Sequence, residues 1–189
     1  MNNSLSESTF HFMNDEKVMC AAVAVIWTNQ NEIILIKRAE REGDPWSGHI
    51  GFPGGRLEEM DKGHPFQTAI REAKEEIGVE LDQLDCLELL TPLLPDKDFR
   101  GYKLELWPYL FKVKDLTNIK IDENEVQKII KISANIVLNK LELWERDFTF
   151  VDGKSYRLPC LTLPTGDVVW GLTLMILKEF HQKYGRNNK

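Results

Sequence analysis

The sequence predicts a layered α/β or α+β domain, on three observations. Short runs rich in Val and Ile recur along the chain, one segment after a glycine-rich stretch repeats apolar residues at helical spacing, and the C-terminal segment is amphipathic. Strands mixed with two helices of different character bury their apolar sides only by stacking in layers.

Each element follows from local pattern. Residues 1–16 are polar and without periodicity and read as a tail, leaving 17–189 as one domain. Cys20 to Trp27 and Glu32 to Lys37 are β-branched runs joined by Asn29-Gln30-Asn31, the signal of a hairpin. Residues 43–63 hold too many glycines and prolines for long regular structure. From Pro65 to Ile77 the period is helical, with Pro65 at the first helical position and Gly78 just past the end. Leu87–Leu90, Lys103–Val113, Val126–Ile132 and Arg157–Leu163 read as strands. A helix is expected over Asp167–Tyr184, capped by Thr165 or Asp167.

Composition narrows the function. The net charge of −6 argues against a general nucleic-acid binder, which needs a basic face for phosphates. Cys20, Cys86 and Cys160 show neither zinc spacing nor a disulfide framework and read as free thiols. The first residues lack the basic and apolar regions of a signal peptide, and no apolar run reaches membrane-spanning length, so the expected location is cytoplasmic.

The helix Pro65–Ile77 carries the chemistry. Phe66, Ile70, Ala73 and Ile77 share the core stripe, while Glu72, Glu75 and Glu76 gather on the other side. Like charges at this spacing repel, and anions near a helix C-terminus oppose its dipole. A solvated acidic face would explain such a string in isolation. Phe52-Pro53-Gly54-Gly55 ahead of it, a turn that lets a ligand approach the backbone, favours a hard divalent cation such as Mg²⁺ or Mn²⁺.

The segment Arg71-Glu72-Ala73-Lys74-Glu75-Glu76-Ile77-Gly78-Val79 resembles the second half of the Nudix hydrolase signature, G-x5-E-x7-R-E-U-x-E-E-x-G-U. In the first half, Gly55 leads after five residues to Asp61, where the family has Glu, and nine residues rather than seven then precede Arg71. The resemblance implies a Nudix-type α/β/α sandwich with a mixed sheet and a loop–helix–loop metal site. It implies Glu72, Glu75 and Glu76 as metal-facing carboxylates, Arg71 orienting the first of them, and the Gly55 carbonyl in the metal shell. No metal role is expected for Asp61.

Gly48-His49-Ile50-Gly51-Phe52-Pro53-Gly54-Gly55, Thr68–Ala73 and Trp170-Gly171-Leu172-Thr173 are similar to motifs of the coenzyme A pyrophosphatase branch. That branch carries L-L-x-x-R-S-x3-R ahead of the loop; here Ala39 replaces Ser, and Asp44 stands where the second Arg belongs, with Arg41 as a stand-in. The implied activity is hydrolysis of coenzyme A or acyl-CoA to 3′,5′-ADP and (acyl-)4′-phosphopantetheine. Alternatives are ADP-ribose, a dinucleoside polyphosphate or a nucleotide sugar as substrate, or a non-catalytic binding module of the same fold. Arg38, Trp46, Gly54 and Gly55 are the expected substrate-binding residues, and Glu125, beside Glu123, is the expected general base. Trp170 is expected to pack the C-terminal helix, and His49 and His64 to be structural or solvent-facing. The expected partner is a small nucleotide diphosphate, with no stable nucleic acid and no membrane; a homodimer is left open.

Overall fold

Two long strands organise the molecule, and each is covered on both faces. The computed structural model describes residues 18–44, 46–94, 103–114, 116, 119–139, 141–149 and 153–185. The tail expected over 1–16 lies outside them. Strand β1 (Val18–Thr28) turns at Asn31, which takes the left-handed conformation that Asn tolerates, and returns as β2 (Glu32–Arg38). Ile26 pairs with Ile34, so the expected hairpin forms.

The second long strand is β6 (Lys103–Val113), which runs parallel to β1 along its full length, from Val18↔Lys103 to Thr28↔Val113. Around this pair the short β3 (Ile50–Gly51) and β7 (Val126–Ser133) join β2, β4 (Gly54–Arg56) joins β1, and β5 (Cys86–Leu89) closes the far edge. Among the described residues the result is a seven-stranded mixed sheet.

One face of the sheet is covered by α1 (Pro65–Ile77), whose Ala69, Ala73 and Ile77 pack on Ala22, Ala24, Ile34 and Phe111. The other face is covered by α2 (Asn135–Leu138) and α3 (Gly171–Tyr184), through Val137, Leu138, Leu174, Leu177 and Phe180 against Val25, Ile33, Leu35 and Leu110. Adjacent side chains of each central strand therefore enter opposite cores. This is the α/β/α sandwich that the resemblance implies.

A smaller three-stranded sheet carries the C-terminal part of the chain: β8 (Trp144–Thr149), β9 (Ser155–Thr162) and β10 (Val168–Trp170). It corrects the expected C-terminal helix. Val168–Trp170 pair with Cys160–Thr162 as a strand, and helix begins only at Gly171, with Trp170 as its N-cap residue. The two adjacent valines suit a strand better than a first helical turn. Thr165 and Asp167 hold the β9–β10 turn instead, where Asp167 accepts from Thr165 Oγ1 at 2.7 Å and Lys128 Nζ at 2.8 Å.

Candidate functional site

Helix α1 and the glycine strand β4 face each other across the site, and β1 fixes their separation. Ala22 pairs with Gly55 and Val23 with Gly54. A side chain at Gly54 would run into the Ala22 carbonyl and the Val23 backbone, so β4 lies closer to β1 than other residues allow. A side chain at Gly55 would run into the carboxylate of Glu72. The second glycine leaves room for an acid, and the first donates its N–H to Glu76 Oε2 at 2.8 Å.

Glu72, Glu76 and Glu125 converge here, each offering a carboxylate oxygen within 4.8 Å of the others. Glu76 is almost wholly buried, with 1% of the residue exposed, and its Oε1 has no hydrogen-bond partner. Burial, with the Glu72 charge adding to it, pushes the Glu76 carboxyl up to about 8, against the Gly54 hydrogen bond and the Arg38 charge. Burial also raises Glu72, although Arg71 beside it works the other way. Glu125 is brought in from the turn just before β7 by its carbonyl, which accepts the Ala39 N–H at 2.8 Å. Two buried acids and a more open third, with an unfilled acceptor among them, suit a hard cation, whose charge and oxygen preference answer both features.

Arg71 uses its whole fork to brace this wall. It donates from Nε and Nη2 to the two oxygens of Asp61, both at 2.9 Å, and from Nη1 to Glu72 Oε1 and Glu75 Oε2, both at 2.8 Å. The Arg71–Glu72 pair is the one the resemblance implies. Sequence reasoning expected no metal role for Asp61 and missed what it does instead, which is to hold Arg71. Burial would raise its pKa, but Arg71, the Glu58 N–H and Thr68 Oγ1 outweigh that and lower it. Asp61 stands outside the three-carboxylate group and anchors Arg71.

Glu75 also stands outside the group: its side chain is 52% exposed in the pair with Arg71. Arg38 approaches from β2, where the pairing with β7 slips between Lys37 and Arg38. Such a bulge re-aims a side chain, and here Nη1 lies 3.6 Å from Glu76 Oε1 and Nη2 3.4 Å from Asp44 Oδ2. Arg41 donates to the Asn124 carbonyl and lies 3.7 Å from Glu125, bracing the loop that carries that acid. Trp46 is half-buried in the turn before β3, its N–H bonded to Asp44 Oδ1 at 3.0 Å.

Trp170 does more than cap α3. Its ring stacks on Phe148 of β8 at 4.3 Å and meets the edge of His49 at 4.9 Å, tying the smaller sheet to the loop ahead of the glycines. Burial lowers the His49 pKa. His64 is exposed at the N-cap of α1.

Comparison with known proteins agrees with this geometry. The NUDIX domain model matches residues 18–152, and the chain belongs to that family. It is 30% identical over 150 residues to Nudix hydrolase 22, chloroplastic, of Arabidopsis thaliana, covering 77% of this chain and 47% of that protein. It is also 30% identical over 146 residues to a mitochondrial coenzyme A diphosphatase of Mus musculus, covering 76% of this chain and 66% of that one. The chain spans about half the length of Nudix hydrolase 22, and 50% of another relative from Arabidopsis thaliana, Nudix hydrolase 15, mitochondrial. Two solved structures share the fold at TM-score 0.59: a MutT/nudix family protein from Enterococcus faecalis, 20% identical, covering 92% of this chain and 64% of that one, and the NUDIX domain of Shewanella oneidensis NrtR with ADP ribose, 18% identical, covering 88% of each.

Proposed function

We propose that this NUDIX family member hydrolyses a diphosphate linkage in a nucleoside diphosphate derivative, using Mg²⁺ or Mn²⁺. The observation that carries the reading is the convergence of Glu72, Glu76 and Glu125 around an unfilled buried oxygen. When bound, the cation neutralises charge on phosphate oxygens and makes water more acidic. Glu72 and Glu76 would hold it, with the Gly55 carbonyl as a further donor. Arg71, locked by Asp61, keeps Glu72 in place. Glu125, the most open of the three acids, takes the proton as water attacks one phosphorus and the bond to the bridging oxygen breaks. The leaving phosphate keeps that electron pair. Arg38, with its fork of donors, steadies the phosphate, and Trp46 lines the approach.

Coenzyme A is the substrate we favour, giving 3′,5′-ADP and 4′-phosphopantetheine. Support comes from the Gly48–Gly55, Thr68–Ala73 and Trp170–Thr173 segments and from the similarity to a coenzyme A diphosphatase. One observation favours a substrate without the 3′-phosphate, such as ADP-ribose: Asp44 occupies one arm of Arg38 where the coenzyme A branch has a second Arg. The deciding measurement is kcat/KM for coenzyme A, dephospho-coenzyme A and ADP-ribose with Mg²⁺ or Mn²⁺. Coenzyme A should be preferred by about tenfold or more, roughly 1.4 kcal/mol. Equal or better use of ADP-ribose would overturn that choice and leave the diphosphatase. Full turnover in excess chelator would overturn the metal requirement.

A further inference from the structure

The two arginines beside the acidic wall are bound very differently. Arg71 is gripped at 2.8–2.9 Å by three carboxylates, the distance of strong charge-assisted bonds. Arg38 is divided between two, at 3.6 Å from Glu76 Oε1 and 3.4 Å from Asp44 Oδ2, and its Nε has no hydrogen-bond partner. Glu76 Oε1, the oxygen it approaches, is likewise without a hydrogen bond. A side chain in this position offers charge to Glu76 without satisfying its geometry.

We infer that Arg38 is a displaceable counter-ion of the metal site: it faces the ionised Glu76 in the metal-free protein, and an arriving divalent cation drives it off towards Asp44. This rests on the metal site proposed above. A guanidinium and a divalent cation drawn to the same oxygen repel one another, and in a poorly screened pocket that repulsion weakens the hold of each. Asp44 is built to receive the released guanidinium. Its Oδ1 accepts the Trp46 N–H at 3.0 Å, which holds the carboxylate in the loop with Oδ2 turned to Arg38. The bulge between Lys37 and Arg38 roots the side chain between the two acids, so the exchange needs rotation about side-chain bonds only. The freed fork then points to where a phosphate would meet the cation. Metal binding and phosphate binding are thereby linked through one residue, and such linkage is reciprocal.

The test is direct Mn²⁺ binding to the full chain without substrate, read from the electron paramagnetic resonance signal of free Mn²⁺, at about pH 8.5 to limit proton competition. Arg38→Met should bind Mn²⁺ roughly tenfold more tightly than wild type, because its competitor is gone. Arg38→Gln carries the same expectation and serves if the Met variant does not fold. Asp44→Asn should weaken binding about threefold in wild type, by leaving Arg38 wholly to Glu76, and should have no effect in the Arg38→Met background. Unchanged or weaker binding in both Arg38 variants overturns the inference. So does an equal effect of Asp44→Asn in both backgrounds, which would mark a general charge effect. If the wild type itself binds no Mn²⁺, the proposed function falls with it; if wild type and variants bind alike, only the counter-ion role falls.

Discussion

Two buried acids flank Arg71 and Arg38, and they are finished in opposite ways. Asp61 is 3% exposed, accepts from Arg71, Thr68 and the Glu58 N–H, and has both oxygens occupied. Glu76 is 1% exposed, has one oxygen bonded to the Gly54 N–H, and leaves the other with only a distant guanidinium. A buried carboxylate that is fully hydrogen-bonded belongs to the framework, because removing any partner is costly. One left half-satisfied is kept against stability, and the difference in finish separates the anchor from the working group.

The largest effect is expected where the comparison is broken on the working side. Glu76→Gln preserves shape and the Gly54 hydrogen bond while removing the charge. It should lower kcat/KM by roughly three orders of magnitude, about 4 kcal/mol of transition-state stabilisation, with the circular dichroism spectrum unchanged. Near-normal kcat in the folded variant would reduce Glu76 to a packing residue.

Breaking the anchor should do the reverse. Asp61→Ala leaves Arg71 facing an empty pocket and should cost about 3 kcal/mol in urea unfolding. Mn²⁺ affinity should fall far less than in Glu76→Gln. If Asp61→Ala instead abolishes Mn²⁺ binding at unchanged stability, Asp61 is part of the metal site and the two acids do not divide the work.

The working side was the more legible in the sequence. Helix α1 was readable to its ends, because Pro65, Gly78 and the apolar stripe all mark it locally. Glu72 and Glu76 follow from that register. The anchor was hidden: nine residues separate Asp61 from Arg71, and only the Glu59–Asp61 turn folds the acid back onto Thr68 and Arg71. Arg38 could be named as a phosphate contact, but its tie to Glu76 depends on a bulge that no local signal announces. β8 was missed because Trp144–Thr149 is exposed at nearly every position and shows no alternation, and β10 because three residues are held as strand by their pairing with β9. Tertiary pairing decides such segments.

The two acids should also give the metal-free protein opposite dependences on pH. Burial raises Glu76 to about 8, so its contribution to stability is full below the ordinary carboxylate range and is lost as pH rises through about 8. Asp61 is lowered, so its contribution is present above its ordinary value and is lost only as acid protonates it. In chelator, the Tm should fall by roughly 5 °C between about pH 5 and pH 9, the shift expected of about 2 kcal/mol in a chain of this size. Glu76→Gln should flatten that fall and leave the loss in strong acid intact. A wild-type Tm that is level or rising across the range would mean that Glu76 is not strained when ionised.

The smallest effect tests the boundary of the working group. The resemblance implies three metal-facing acids on α1, yet Glu75 lies on the outer side of Arg71, with its side chain 52% exposed and one oxygen 2.8 Å from Nη1. Arg71 keeps Asp61 and Glu72 whether or not Glu75 is present. An exposed pair at this helical spacing contributes only about 0.5 kcal/mol. In our reading Glu125 supplies the third acid of the site from another element, as the base rather than a ligand, and Glu75 merely adds to the field around the site. Glu75→Gln should therefore leave stability within about 0.5 kcal/mol and reduce kcat/KM by less than about tenfold, through slightly looser positioning of Arg71. Glu125→Gln, measured beside it, should cost clearly more. If Glu75→Gln proves as damaging as Glu76→Gln while Glu125→Gln is mild, then metal binding must pull Glu75 off Arg71 and into the site, and the ligand set lies along the helix rather than across two elements.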